Sequence, residues 1–355
     1  MGYDRKSTKK LWNKVVSKMI SGLVNIIEML VFPGILFVMS YALYCNWINR
    51  KFAARLQNRV GPMHTGWHGI LQPLADFIKL LAKEDITPAA ANKTFFNLAP
   101  LIVFALPLAS LFVIPIQSLS NLWSYSPVLS FEGDLAVVLF LMTIMILFIF
   151  LGGWSSSSIY AAVGSERVSM MMLAYEIPLS LVALGPAILA GSLSINNIVN
   201  YQVAGIQGFL EAPTLAGLGL GLVLFIGMGI FIVCILAELE MRPFDISEAE
   251  TEIVHGWQVE YSGKKLALLS AGHDLKLVLT SGLLTALYLG GPSGPFLPPI
   301  VWFILKTTAC VFVLSNLSVL FARFRIDKML DWAWKVLVPL AVLQVLAIVT
   351  LSGVV

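Results

Sequence analysis

Charge is scarce in this chain, and the residues that usually carry catalysis are scarcer still. Asp, Glu, Lys and Arg make up 12% of the 355 residues, against 58% hydrophobic. That balance excludes an ordinary domain surrounded by water. Cys45, Cys234 and Cys310 lie singly in apolar stretches with no CxxC, so they read as small buried hydrophobes, and no disulfide or iron–sulfur cluster is expected within the chain. Of four histidines, His64 and His68 stand four apart, but MHTGWHG is interrupted by glycine and has no accompanying acid, so no metal site is expected. There is no Gly-rich nucleotide loop and no nucleophile elbow. The net charge of +3 is dispersed, with no basic run interleaved with aromatics, which sets nucleic acid aside.

What the chain has instead is apolar length. Runs matching the roughly 20 residues needed to cross a hydrocarbon core of about 30 Å can be placed about eight times. They are Gly22 to Asn46, Asn97 to Ile116, Leu135 to Gly153, Ser169 to Ala190, Leu215 to Leu236, Gly272 to Gly290, Pro299 to Phe321 and Trp334 to Leu351. The reading is an all-α polytopic membrane protein, a bundle of about eight transmembrane helices with a long amphipathic first cytoplasmic loop. It forms one integral membrane unit over residues 1–355, without an internal repeat or a linker. A basic start without an apolar core and cleavage site predicts that the first helix is retained, and that residues 1–21 form an amphipathic surface segment.

Connections after the second, fourth and sixth spans contain no Lys or Arg, whereas residues 47–96 hold Arg50, Lys51, Arg55, Arg59, Lys79, Lys83 and Lys93. The positive-inside rule makes that loop cytoplasmic, with 154–168, 237–271 and 322–333, in a cell membrane. Within the first loop Gly61-Pro62 is expected to break a helix, and Leu71 to Lys83 to form another with Leu71, Leu74, Ile78 and Leu81 on one face. Its arginines could dock an acidic soluble subunit, line an entrance for a polar-headed ligand, or form a collar on anionic lipid headgroups.

Residues 238–263 carry Glu238, Glu240, Asp245, Glu248, Glu250, Glu252 and Glu260 against the single Arg242, directly after an apolar run. Two N-terminal capping patterns, Asp245 with Glu248 and Ser247 with Glu250, explain a part. On a continuous helix Asp245, Glu248 and Glu252 would share a face, and like charges so stacked favour sharing a proton over full ionisation. A solvated acidic helix is the competing reading. Glu176 sits within an apolar span beside Pro178, which makes it either a proton carrier or a protonated structural acid. Glu28 lies nearer a span end, where snorkelling competes with transport. Asp274 and Lys276 are placed at a helix start, where they would pair with each other or with a loop. Lys306 lies deeper and calls for a counter-charge, for which Glu176 or an acid of another subunit is the candidate.

RKFAARLQNRVGP with GILQPLADFIKLLAKEDITP strongly resembles the first matrix- or cytoplasm-facing loop of respiratory complex I subunit 1. PFDISEAETEIVHGWQVEYSG, GGWSSSSIYAAVGSERVSMMMLAYEIPLSL and RFRIDKMLDWAWKVLVPLAVL resemble three further segments of that family, in the same order. The resemblance implies a membrane anchor that does no bond chemistry itself. It also implies peripheral redox subunits above, antiporter-like membrane subunits beside, and the lipid bilayer around. Arg55, Arg59 and Asp76 would then contact the peripheral arm or the mouth of a chamber. Glu176, Asp245, Glu248, Glu250 and Glu252 would form a charged path for protons or sodium. Three departures stand out: Asn49 where an acid is usual, AELEMRPFD where AETNRAPFD is typical, and SAGHDLKLV without the usual acid and Tyr. They bring the chain nearer to the anchor of membrane-bound nickel–iron hydrogenases and related sulfur-reducing complexes. That implies iron–sulfur clusters and a nickel–iron centre in partner subunits, no cofactor in this chain, and weighs against quinone. The alternative is the quinone-chamber subunit of complex I proper. A stand-alone secondary transporter is a third reading, which no inverted repeat supports.

Overall fold

The computed structural model describes residues 30–32, 34–117, 123–211 and 215–352. Glu28 and the basic segment 1–21 lie outside the described residues. The elements in order are α1 (Ile35–Leu56), α2 (Gln72–Ala82), α3 (Lys93–Leu111), α4 (Asp134–Trp154), α5 (Ile159–Ala190) and α6 (Ile195–Glu211), then α7 (Leu215–Glu238), α8 (Gly263–Tyr288), α9 (Pro299–Leu320), α10 (Ile326–Trp332) and α11 (Val338–Ser352). A π-helical turn, Ala333–Leu337, joins α10 to α11. Among the described residues, helices are the only regular secondary structure.

Among those residues, six stretches are long and apolar enough to cross a membrane: Lys93–Leu111, Asp134–Trp154, Ile159–Ala190, Gly217–Glu238, Pro299–Leu320 and Ile326–Leu351. α8 is not one of them, although its 26 residues span about 39 Å at 1.5 Å each. It is the axis of the bundle, packed by α1, α3, α6, α7 and α9, and every residue from 274 to 287 is buried. A helix enclosed by protein has no lipid-facing side to keep apolar, so it can carry Asp274, Lys276, Thr280, Ser281 and Thr285. Gly272 lets α8 approach α3, since a Cβ there would stand 2.7 Å from the Val103 carbonyl. Prolines inside the spans leave carbonyls without their helical donors, and other helices supply them. Pro186 frees the carbonyl of Val182, which accepts the Tyr288 hydroxyl at 2.8 Å.

Several boundaries differ from those expected. α1 continues past Asn46 to Leu56, because Asn46 is satisfied inside the bundle by Asp274. Its break comes before Gly61-Pro62, at Asn58, whose φ is +53°. α5 begins at Ile159, so the second connection is far shorter than 154–168. α6 occupies the connection after the fourth expected span; the Asp134 carboxylate accepts the Ile195 N–H at 2.7 Å and so caps its start from another helix.

The four charged connections meet at one end of the bundle. Asn92 N–H donates to the Ser155 carbonyl at 2.9 Å, Ile86 N–H to Ser262 Oγ at 3.1 Å, and Phe324 N–H to the Pro243 carbonyl at 2.9 Å. The connections without Lys or Arg meet at the other, where Leu135 N–H donates to the Leu193 carbonyl at 3.1 Å and Tyr125 to Asn200 at 2.9 Å. The chain is a multi-pass membrane protein whose loops sort by charge.

Candidate functional site: a charged file beneath the loop face

Between α7 and α8 the chain makes turns rather than a continuous helix. Pro243 removes a donor, and helical structure is limited to one turn, Glu250–Ile253, and a 3₁₀ turn, Gly256–Gln258. The expected common face of Asp245, Glu248 and Glu252 is therefore absent. Neither Asp245 nor Ser247 caps the turn, since Ala249 precedes it. The carboxylates find separate partners instead. Arg323 donates to Asp245 at 2.9 Å, with Arg242 at 3.7 Å. Arg167, from α5, donates to Glu252 at 2.6 Å and holds that carboxyl below the usual range. Glu250 is exposed at the rim of a cavity.

Glu248 and Glu240 behave differently. Gln258 donates to Glu248, and Trp257 Nε1 donates to Glu240 at 3.3 Å. Burial pushes the Glu248 carboxyl well above the carboxylate range, and the charges of Glu240 and Asp245 push it further, against the pull of Lys276 and Gln258. Burial likewise raises Glu240, opposed by Lys276 and Trp257. Both carboxyls therefore keep their protons to higher pH than a free carboxylate does.

Deeper, Lys276 lies 2.9 Å from Glu238 Oε1, with side chains 3% and 1% exposed. Tyr175 is buried close enough to interact with Glu238, and its half-buried neighbour Glu176 interacts with the same carboxyl. Glu176 accepts a hydrogen bond from Thr143 of α4. Asp274 and Lys276 are neither at a helix start nor paired with each other, because α8 begins at Gly263 and carries both into the core. Both oxygens of Asp274 lie 2.7 Å from Asn46 Nδ2. Lys306 also has no carboxylate partner among the described residues. It donates to the carbonyls of Leu289, Gly291 and Ser293 at 2.7–2.9 Å, fixing the connection between α8 and α9 at the opposite end.

In the first loop Asp76 accepts from Arg50 at 2.5 Å and from Gln72 at 2.9 Å. Burial would raise its carboxyl, but those bonds, with the charges of Arg50 and Lys79, hold it below the usual range. Asp76 thus ties α2 to α1. Arg55 is exposed, and Arg59, which donates to Gln57 at 2.7 Å, lines a cavity. The α2 helix forms where expected, with Leu71, Leu74, Ile78 and Leu81 facing outward.

Two adjoining cavities open at the loop face. One, of about 380 Å³, lies between Arg50, Arg59, Glu240 and His273; the other, of about 340 Å³, is lined by Glu250, His255 and Arg323. Arg242, Asp245 and Glu248 line both. Sequence reasoning named Glu238, Glu240 and Lys276 without placing them in the charged path and passed over Tyr175, although opposite charges in two neighbouring apolar runs were a usable signal. Among the described residues no three His, Cys, Asp or Glu side chains are grouped to hold a metal.

Residues 28–349 match the NADH dehydrogenase family. An H subunit of the NADH-quinone oxidoreductase of Rhizobium meliloti is 37% identical over 314 residues, 87% of this chain and 90% of its own length. The H subunit of the Thermomicrobium roseum enzyme is 39% identical over 306 residues, covering 85% of this chain and 89% of the relative. An H subunit from Geobacter sulfurreducens is 38% identical over 312 residues, covering 87% and 91%.

Proposed function

The chain belongs to the NADH dehydrogenase family, that of complex I subunit 1, and from that premise we propose that it is the membrane anchor and coupling subunit of an energy-converting redox complex. The observation that carries this reading is the file of titratable groups from the cavity inward: Glu248, Glu240, Lys276 with Glu238, then Tyr175 and Glu176. Asp245, Glu250 and Glu252 form its outer rim, where arginines neutralise two of them. Events in the peripheral arm reach this file through the cavity wall. A change of charge there alters how Glu240 and Glu248 share a proton, and the buried groups pass that change toward neighbouring antiporter-like subunits as movement of a proton or sodium ion. Iron–sulfur chemistry is assigned to partner subunits and none to this chain. The relatives' names favour quinone as the acceptor, with Arg50, Arg59 and Arg242 as donors to its head group.

A second reading keeps the coupling role but gives the peripheral arm a nickel–iron centre and hydrogenase chemistry. The sequences EMRPFD and HGW, and SAGHDLKLV in α8, favour it. Quinone reduction that is sensitive to quinone-site inhibitors, without hydrogen evolution from reduced ferredoxin, selects the first reading; the reverse selects the second. Coupling itself is tested by Glu176→Gln in the purified complex in liposomes. Ion movement driven by turnover is expected to be lost while the complex assembles, and undiminished pumping would remove Glu176 from the path.

A further inference from the structure

Of the ion pairs among the described residues, Lys276 with Glu238 is the one sealed from solvent on both sides. Desolvating two charges at this depth costs free energy that their attraction does not reliably return, so stability alone is a weak reason for such a pair. Lys276 also makes a bond that the ion pair does not require. Its ammonium donates to the backbone carbonyl of Glu238 at 2.5 Å. That carbonyl belongs to the last turn of α7, where carbonyls lack helical donors and the backbone dipole favours a cation. The ammonium is thereby held where the span gives way to the acidic loop, whether or not the Glu238 carboxyl is ionised.

Three carboxyls feel this one cation. Glu238 touches it, and its charge acts on both Glu240 and Glu248. His273 and Asp274 share its helix, but Asp274 is taken by Asn46. Tyr175 from α5 also interacts with Glu238. One ammonium cannot pair with three carboxylates at once, one of them buried and two on a cavity wall, so where it sits bears on which of the others holds a proton.

We propose that Lys276 is a shared counter-cation, tethered at the end of α7 by the Glu238 carbonyl, whose position among Glu238, Glu240 and Glu248 decides which of the three is ionised. The proposal rests on the coupling role given above. When a proton arrives at Glu238, the ammonium, still tethered by the carbonyl, turns from that carboxyl toward Glu240 and Glu248, and one of these loses its proton to the cavity. Transfer of that proton from Glu238 to the carboxyl left ionised brings the ammonium back, so over the cycle one proton enters, one leaves, and no charge accumulates. Lys276 is a positioning residue here, since it directs protons without carrying them.

The test uses the whole complex in liposomes, with ions moved per electron as the first readout and infrared difference spectra of protonated carboxyl groups as the second. Lys276→Met is expected to lower the ratio by about fivefold or more and to add a protonated carboxyl signal. Glu238→Gln with Lys276→Met, which removes both charges and so keeps the test available if the single variant fails to assemble, should lack that added signal and stay uncoupled. Lys276→Arg should restore coupling. A normal ratio in the double variant, or no added carboxyl signal in Lys276→Met, overturns the proposal. Glu248→Gln separates the two levels: if it uncouples while Lys276→Met does not, the lysine assignment alone falls, and if neither uncouples, the coupling reading falls with it.

Discussion

The residue that separates the two kinds of acid at this site is Glu248. Its carboxyl is raised by burial and by neighbouring negative charge, whereas Glu252, a few residues on, is lowered by Arg167. The two make opposite contributions to pH dependence. A pKa raised in the folded state adds stability that is fully present below the unfolded value of about 4.3 and is lost as pH climbs through the folded value. Glu252 has the reverse sign, but its exposed pair with Arg167 is worth little. Glu248→Gln mimics the protonated acid, so the variant should match the parent at acid pH and exceed it at alkaline pH, by about 2–4 °C in Tm. Thermal denaturation of the purified complex in detergent across pH checks this, and equal melting at every pH would show that Glu248 is not desolvated. Glu176 was legible in the sequence as a lone acid in a span, and its partner Thr143 was not, because helix packing sets which residue of α4 faces it.

At the scale of elements, the apolar runs and the sorting of charged connections were readable, because lipid imposes length and positive charge marks one side. What composition could not show is which helix is central. α8 carries polar residues that keep it from the apolar stretches long enough to span, because it is enclosed by protein. The acidic loop was misread as a helix for a related reason: its periodicity is that of a capped helix, but Pro243 and arginines on other elements hold it in turns. Its seat is a close contact with α5. A Cβ at Gly164 would stand 2.5 Å from Trp257 N and 2.9 Å from Gly256 Cα. Gly164→Ala should therefore part the turn from α5, cost about 1–3 kcal/mol, and loosen the Trp257 bond to Glu240. Gly229→Ala on α7, with nothing within 4 Å of the added methyl, is the control expected to be neutral or stabilising. Melting temperature together with proteolysis within the acidic loop distinguishes them; equal behaviour of the two variants would mean that the contact does not hold the loop.

For the molecule as a whole, the loop face combines what a peripheral partner needs with what a membrane surface needs. Leu71, Leu74, Ile78 and Leu81 turn outward from α2 at the interface, while Arg55 and Arg59 project from the end of α1 and the turn after it. Asp76, grouped with these arginines on sequence grounds, is already held by Arg50, which leaves the projecting charge basic. Docking that depends on such charge is screened at separations beyond about 8 Å at physiological ionic strength. Neutralising Arg55 and Arg59 together should loosen the peripheral subunits and make their retention more sensitive to salt, whereas Asp76→Asn should act on the α1–α2 junction with little effect on retention. Native gels of the membrane complex over a range of salt concentrations measure both. A double arginine variant that keeps its peripheral subunits at every salt concentration would assign docking to another part of the face, and the arginines to the cavity mouth or to anionic lipid.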